Sequence, residues 1–215
     1  MPKPPGPRQL VRALDAHREA LAGCRRCANA PDIVPIVSLA RSPKAMLVGQ
    51  APGQTERGGG PPFAGRAGRT LFKWLARAGL SEDQARRLFY ISAITRCYPG
   101  PHAAGRGDRV PSIAERARCG DWLEGELRII RPRLIVPVGK LAIERFVGIQ
   151  PLSDVVGREH TVEHEGGSSI VIPLPHPSGA SSWIYQQGHM DLLQGSLELL
   201  AARVQALGNP KRSVA

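Results

Sequence analysis

The chain has 215 residues, enough for one globular domain with small additions. With 42% apolar residues it can bury a sizeable core, which sets it apart from collagen-like and highly charged disordered chains. Its 29 basic and 18 acidic residues leave a net charge of +11, which favours a polyanion: nucleic acid first, an anionic membrane surface second.

The start, Met1-Pro2-Lys3-Pro4-Pro5-Gly6-Pro7, reads as a flexible tail over residues 1–7. It lacks the apolar core of a signal peptide, and no stretch reaches the roughly 20 apolar residues that span a bilayer. A cytoplasmic home and no membrane partner are expected. The spacing of Leu10, Leu14 and Leu21 predicts a helix over 8–23. Cys24 and Cys27 follow it, then an irregular, proline-bearing stretch over 28–43. Ala45–Val48, ending in Gly49, reads as a buried strand. A glycine-rich loop then runs from Gln50 to Gly68, and Leu71, Phe72, Leu75 and Ala78 give the next helix an apolar stripe. A short helical piece covers 81–88, and Phe89–Thr95 reads as a second strand running into Cys97.

A loop rich in Gly, Pro and Arg covers 98–112. A helix from about Ser112 to Ile130 carries Cys119, and Pro111 before it fits a helix start. Leu134–Val138 reads as a third strand, with a helix over 140–147. Residues 149–168 are polar; a hairpin or edge strand is expected around Val155 and around Thr161-Val162. Ser169–Leu174 is the fourth core strand. A last helix spans about 182–207 with an interruption near Gly188, and 210–215 reads as a tail. Strands alternating with helices predict a three-layer α/β/α domain over 8–209, with a central, mostly parallel, four-stranded sheet. Ligand sites in such sheets lie at the carboxyl ends of the strands, where the Gly49, Thr95 and Pro175 loops emerge. Nothing marks a dimer surface, so a monomer is expected.

The four cysteines of the chain are Cys24, Cys27, Cys97 and Cys119. The first two form a C-x2-C pair; 21 residues separate the others. Two thiolates from the pair and two brought in by the fold would complete one metal centre. Spacing alone leaves zinc and a [4Fe–4S] cluster open.

The loop Gly49-Gln50-Ala51-Pro52-Gly53 follows a strand and continues through Glu56 and Phe63 into the helix that starts near Arg66 and Arg69. Amides at that helix start suit an anion such as a DNA phosphate. The loop is neither a Walker loop nor a Rossmann fingerprint, because the glycine spacing is wrong and no Gly-Lys-Ser/Thr closes it. Phe63 suits either stacking on a planar ring or capping the core. His176 lies between Pro175 and Pro177, so its backbone is restricted and its imidazole is held in a defined place.

These motifs together resemble the uracil-DNA glycosylase superfamily, in its iron–sulfur, family 4-like branch. That branch reads Gly-Glu-Ala-Pro-Gly, then Pro-Phe-Val-Gly-x-Ala-Gly; here stand Gly49-Gln50-Ala51-Pro52-Gly53, Pro62-Phe63-Ala64-Gly65 and Ala67-Gly68. Its second strand resembles Tyr90-Ile91-Ser92-Ala93-Ile94-Thr95-Arg96-Cys97, and its closing motif His176-Pro177-Ser178. The resemblance covers roughly 24–200. It implies a four-stranded parallel sheet between helices, a [4Fe–4S] cluster on the four cysteines, and removal of uracil from DNA by base flipping. Two positions depart from the family. Gln50 stands where the branch has a catalytic acid, and Ala93 where an asparagine reads the uracil edge.

The resemblance therefore implies a mechanism with altered parts. His176 would donate a hydrogen bond to the leaving uracil, and Gln50 would orient water or base. Backbone near Gln50 and Ala51 would read the uracil edge beside Ala93, Phe63 would stack, and Glu56 is the nearest acid to polarise a water. Arg66, Arg69, Arg106 and Arg109 are candidate phosphate contacts. Ser178 and Trp183 belong to the segment in the position of the family's DNA-probing loop, with Trp183 as a wedge. A non-catalytic iron–sulfur nucleic-acid-binding protein is the alternative, supported by the loss of both the acid and the asparagine. A third reading is crosslinking to the abasic product through His102, whose surroundings lack the Arg-Ile-His run of the branch that does so.

Overall fold

The computed structural model describes residues 6–27, 33–105, 107–178 and 182–208. Most of the expected tails, the Arg106 assignment and residues 179–181 of the expected probing segment lie outside the described residues. Helix α1 spans Pro7–Ala22, so the helix begins one residue inside the expected tail. Proline suits that first position because its missing N–H has no partner there anyway.

Strand β1 is Ala45–Gly49, β2 is Phe89–Ala93, β3 is Leu134–Pro137, β4 is His160–His164 and β5 is Gly167–Val171. Their order in the sheet is β2-β1-β3-β5-β4. The first four of these are parallel to one another, as expected, and β4 adds a fifth, antiparallel edge strand. The four-stranded expectation is thus corrected to five. The edge strand forms where Thr161 and Val162 suggested one. Val155, the other suggested position, ends the short helix α6, Leu152–Val155, which follows α5, Lys140–Val147.

The period of two along a strand divides the core in two. Ala45 and Leu47 of β1 face α2 (Arg66–Arg77), α3 (Glu82–Leu88) and α7 (His189–Ala206). Met46 and Val48 face α1, α4 (Ile113–Ile130) and α5. Every residue of β1 and β2 is buried, as a central parallel sheet covered on both faces requires. Capping fixes where two of the helices begin: Ser81 with Gln84 for α3, and Ser112 with Glu115 for α4. The expected last helix is divided. A 3₁₀ turn, Trp183–Tyr185, is followed by left-handed Gly188, and α7 starts after it. Among the described residues no helix is long and apolar enough to cross a membrane.

Strand β2 ends at Ala93, two residues before the expected Thr95. Beyond it the Ile94 amide donates to the Gly49 carbonyl at 3.0 Å and the Thr95 amide to the Gln50 carbonyl at 3.2 Å. The second strand thus hooks over the end of the first. This stitch brings the glycine-rich loop and the cysteine-bearing loop to one edge of the sheet.

Candidate active site and cysteine centre

Cys24 and Cys27 follow α1, Cys97 follows β2 and Cys119 sits on α4; all four line one cavity, with Ile33, Pro35 and Trp122. Cys119 is buried and the others are half-buried. The four thiols border the cavity without closing on a point. Among the described residues no group of three or more His, Cys, Asp and Glu side chains is arranged to hold a single ion. The donor set is uniformly soft, which suits iron or zinc. The Arg96 amide donates to Cys119 Sγ at 3.3 Å, a contact that favours a thiolate. Burial and the Cys27, Cys119 and Cys24 thiols push the Cys97 thiol up to about 12, against the pull of Arg25. Four thiolates here repel one another, so a cationic centre is what would hold them deprotonated together.

A buried charge network supports this corner. Arg96 and Glu126 form an ion pair at 2.5 Å, with side chains 2% and 0% exposed. Ser92 Oγ donates to the same carboxylate at 2.8 Å, and His17 Nε2 lies 3.5 Å from its other oxygen. Burial opposes the Glu126 charge, but Arg96 and His17 outweigh it and hold the carboxyl below its ordinary range. His17 also meets Trp122 edge to face at 5.3 Å, and Arg26 lies over the Trp122 ring while pairing with Asp121. Helix α1 and its trailing C-x2-C pair are therefore fastened to α4 by side chains from both.

The second cluster of site residues stands at the strand ends. Gly49 faces Ala93 in the register of β1 and β2. The Phe63 ring lies over Gly49: a Cβ on that glycine would be 3.0 Å from the ring. Phe63 is also half-buried against the core, so it both caps the core and presents a ring at the loop. Its φ of +59° is strained for a non-glycine residue. Gly68 makes that conformation possible, since a Cβ there would sit 1.7 Å from the Phe63 carbonyl oxygen. Gln50 and Ala51 are half-buried beside them, and buried Ala93 offers only a methyl group.

Glu56 is buried, and both of its oxygens are engaged. One accepts the Gly53 amide at 2.9 Å and the other the Ala64 amide at 2.8 Å. The carboxylate clamps the two ends of the loop together.

His176 rests against Gly139, the residue before α5. With φ of +86°, Gly139 admits the ring where a Cβ would lie 2.9 Å from His176 Cδ2. The Ser178 amide donates to His176 Nδ1 at 3.2 Å, and the Ser178 hydroxyl lies 2.8 Å from the same nitrogen. An amide N–H can only donate, so Nδ1 is an acceptor and the neutral ring carries its proton on Nε2. Burial lowers the His176 pKa, with Asp108 opposing, which keeps the ring neutral.

The outer residues divide. Arg66 and Arg69 are exposed on the first turns of α2. Arg109 is engaged instead, both guanidinium nitrogens reaching Glu115 at 2.7 and 2.5 Å. Ser178 turns its hydroxyl to His176. Trp183 stacks on His189 at 4.1 Å and packs against Ile143, Val155 and Val156. Tyr185, two residues on, is 74% exposed. His102 Nδ1 accepts the Ala104 amide within its own loop. Sequence reasoning missed Asp108, Gly139 and Tyr185. A lone acid in an arginine-bearing loop was the available sign for Asp108.

A protein-family model described as the uracil DNA glycosylase superfamily matches residues 37–192. A type-4 uracil-DNA glycosylase of Archaeoglobus fulgidus is 31% identical over 176 residues, 78% of this chain and 83% of that protein. A type-4 uracil-DNA glycosylase of Thermotoga maritima is 33% identical over 135 residues, 63% of this chain and 65% of that protein. A type-5 uracil-DNA glycosylase of Pyrobaculum aerophilum is 34% identical over 148 residues, 63% of this chain and 61% of that protein. The matched span runs from just before β1 to the first turn of α7 and takes in the Gly49–Gly53 loop, Cys97, Cys119 and His176. The chain therefore belongs to the uracil DNA glycosylase superfamily.

Proposed function

We propose that this chain removes uracil from DNA by taking the base out of the stack and hydrolysing its N-glycosidic bond, leaving an abasic site. The observation that carries this reading is His176, fixed by Ser178 as a neutral ring with its proton on Nε2. A neutral donor of that kind suits a base that gains negative charge as it leaves. Phe63 stacks on the flipped base. The Gln50 amide and the backbone of Gln50 and Ala51 hydrogen-bond its edge, where Ala93 contributes shape alone. Glu56 keeps the loop closed. Arg66 and Arg69 contact phosphate, while Arg109 holds the second loop through Glu115. Trp183 packs inward on His189 and Val155, and Tyr185 is the exposed aromatic of the same 3₁₀ turn.

Cys24, Cys27, Cys97 and Cys119 hold a [4Fe–4S] cluster, supported by the cavity they share and by the resemblance to the iron–sulfur branch. The cluster supplies a structural tie between the end of α1 and the loop after β2. Iron and sulfide analysis, with absorbance near 400 nm, separates it from zinc.

Purified protein is tested on end-labelled oligonucleotides carrying one uracil, as U:G, U:A and single-stranded DNA, with hypoxanthine and thymine beside them. Alkali-labile cleavage at uracil is expected. Loss of about 100-fold or more is expected for His176→Ala, and full activity of that variant removes His176 from the mechanism. A second reading, a non-catalytic nucleic-acid-binding protein, is favoured by Gln50 and Ala93. Tight DNA binding with no cleavage by the metal-loaded protein selects it.

A further inference from the structure

No side-chain acid stands at Gln50, and Glu56 already holds a backbone amide with each oxygen. Another acid reaches the same edge from the second loop. Pro101 and Asp108 form an antiparallel bridge. On either side of it the His102 amide donates to the Gly107 carbonyl at 2.9 Å and the Arg109 amide to the Gly100 carbonyl at 3.0 Å. Asp108 thus stands on a small hairpin. The next residue, Arg109, fastens that hairpin to Glu115, which caps α4 with Ser112. The hairpin is a held element, and Asp108 has a defined place on it.

That place is against the glycine-rich loop. Asp108 Oδ2 lies 3.3 Å from where a Cβ on Gly53 would sit. Glycine at 53 lets the carboxylate come down on the loop that carries Gln50. Its charge reaches the site, opposing the lowering of the His176 pKa by burial. Asp108 is exposed. Its charge also opposes the attraction of a +11 chain for phosphate, so a role in chemistry and a role in binding have opposite signs.

We propose that Asp108 is the catalytic carboxylate of this site, supplying from the second loop the acid that Gln50 does not. The inference rests on the glycosylase reading. As the C1′–N1 bond breaks, its electron pair passes to the uracil ring, which accepts a hydrogen bond from His176. Asp108 faces the cationic sugar and stabilises it. A water oxygen then bonds to C1′, its proton passes to the Asp108 carboxylate and on to solvent, and the uracil anion takes a proton from solvent.

The test uses the full, metal-loaded chain. Single-turnover excision from a uracil oligonucleotide is measured for wild type, Asp108→Asn and Asp108→Glu. Affinity is measured on the same oligonucleotide carrying 2′-fluoro-2′-deoxyuridine, which resists hydrolysis. Asp108→Asn is expected to slow excision by about 100-fold or more, with affinity unchanged or higher. Asp108→Glu is expected to recover about tenfold of that loss. Excision by Asp108→Asn within about threefold of wild type overturns the assignment and leaves the glycosylase reading standing. Parallel losses of affinity and thermal midpoint, equal in the two variants, make Asp108 a loop clamp and also overturn it. A wild-type protein that cleaves no uracil substrate overturns the glycosylase reading, and this assignment with it.

Discussion

The cysteine corner and the strand-end loops are held by different physics. The corner is fastened by side chains: a buried ion pair, rings edge to face, and four thiols around one cavity. The loops are fastened mostly through backbone groups: carbonyls that accept amides across strand ends, amides given to the Glu56 carboxylate and to His176, and glycines at which another group comes close, with the Arg109–Glu115 pair added at the second loop. The first kind contributes stability and tolerates little loss of a partner. The second sets where Phe63 and His176 sit while adding little burial. One segment serves both, since the chain after β2 carries Cys97 to the corner and Asp108 to the loops. Damage to the corner should therefore reach the loops, and damage to the loops should stay local.

The largest expected effect breaks the corner. Cys97→Ser removes one of four thiols, and the metal content and absorbance near 400 nm should fall together. Each 1 kcal/mol lost would lower the thermal midpoint by roughly 2–4 °C in a chain of this size. A variant with native metal content and midpoint would separate the cysteines from any structural role. Next comes the ion pair. Glu126→Leu strands the Arg96 charge in the core and should cost about 3–5 kcal/mol. The double variant Arg96→Met with Glu126→Leu should regain most of that loss, because no buried charge is left without its partner. Chemical unfolding of the two single variants and the double variant measures the coupling directly.

Two glycines test the other half of the comparison. Gly68→Ala sets a Cβ against the Phe63 carbonyl oxygen, and backbone cannot yield as a side-chain tip can. A cost of about 2–3 kcal/mol is expected, together with loss of excision as Phe63 moves. Gly139→Ala acts on both counts. With φ of +86° and ψ of 160° its backbone lies in a region essentially reserved for glycine, which costs about 1–3 kcal/mol, and its Cβ meets the His176 ring, so excision should fall much further than the midpoint does. Equal losses in both measurements would mean that the ring simply shifts aside.

The sheet was legible because its core strands are short apolar runs that end at or a few residues before Gly49, Cys97, Gly139 and Pro175. The fifth strand was half-legible: β4 alternates between half-buried and exposed positions and carries two histidines, so its composition reads as surface. Helix α6 has four residues, too few for a helical period to be seen. The order of the site motifs was legible, and their partners were not. Glu56 reads as a free acid until the Gly53 and Ala64 amides are found on it, eight residues apart at the far one. Arg109 reads as a phosphate ligand until Glu115 is found six residues on, a spacing that a loop entering a helix can close and a helix alone would not. Glu126 reads as the polar face of α4, because nothing local announces that Arg96 lies opposite it, 30 residues away. Trp183 reads as the wedge on size; the chain turns it onto His189 and leaves Tyr185 outside.

The smallest effect is the sharpest probe of the loops. Ser178 makes two contacts with His176 Nδ1, and only one of them belongs to its side chain. Ser178→Ala removes the hydroxyl and keeps the amide, so the tautomer survives and the ring loses one restraint. A tenfold fall in the excision rate corresponds to about 1.4 kcal/mol, near the worth of one hydrogen bond. Stability should hardly change. The pH dependence carries the sign. Burial sets the folded pKa of His176 below its ordinary value of 6.5, so its contribution to stability is fully present above that value and lost as pH falls toward the folded one. Protonation of Nδ1 would turn an acceptor into a donor facing the Ser178 amide. Excision should therefore fall in acid as that contact is broken, and Ser178→Ala should keep the same acid limb, because the amide remains. A Ser178→Ala profile that loses its acid limb would place the decisive contact in the hydroxyl and not in the backbone.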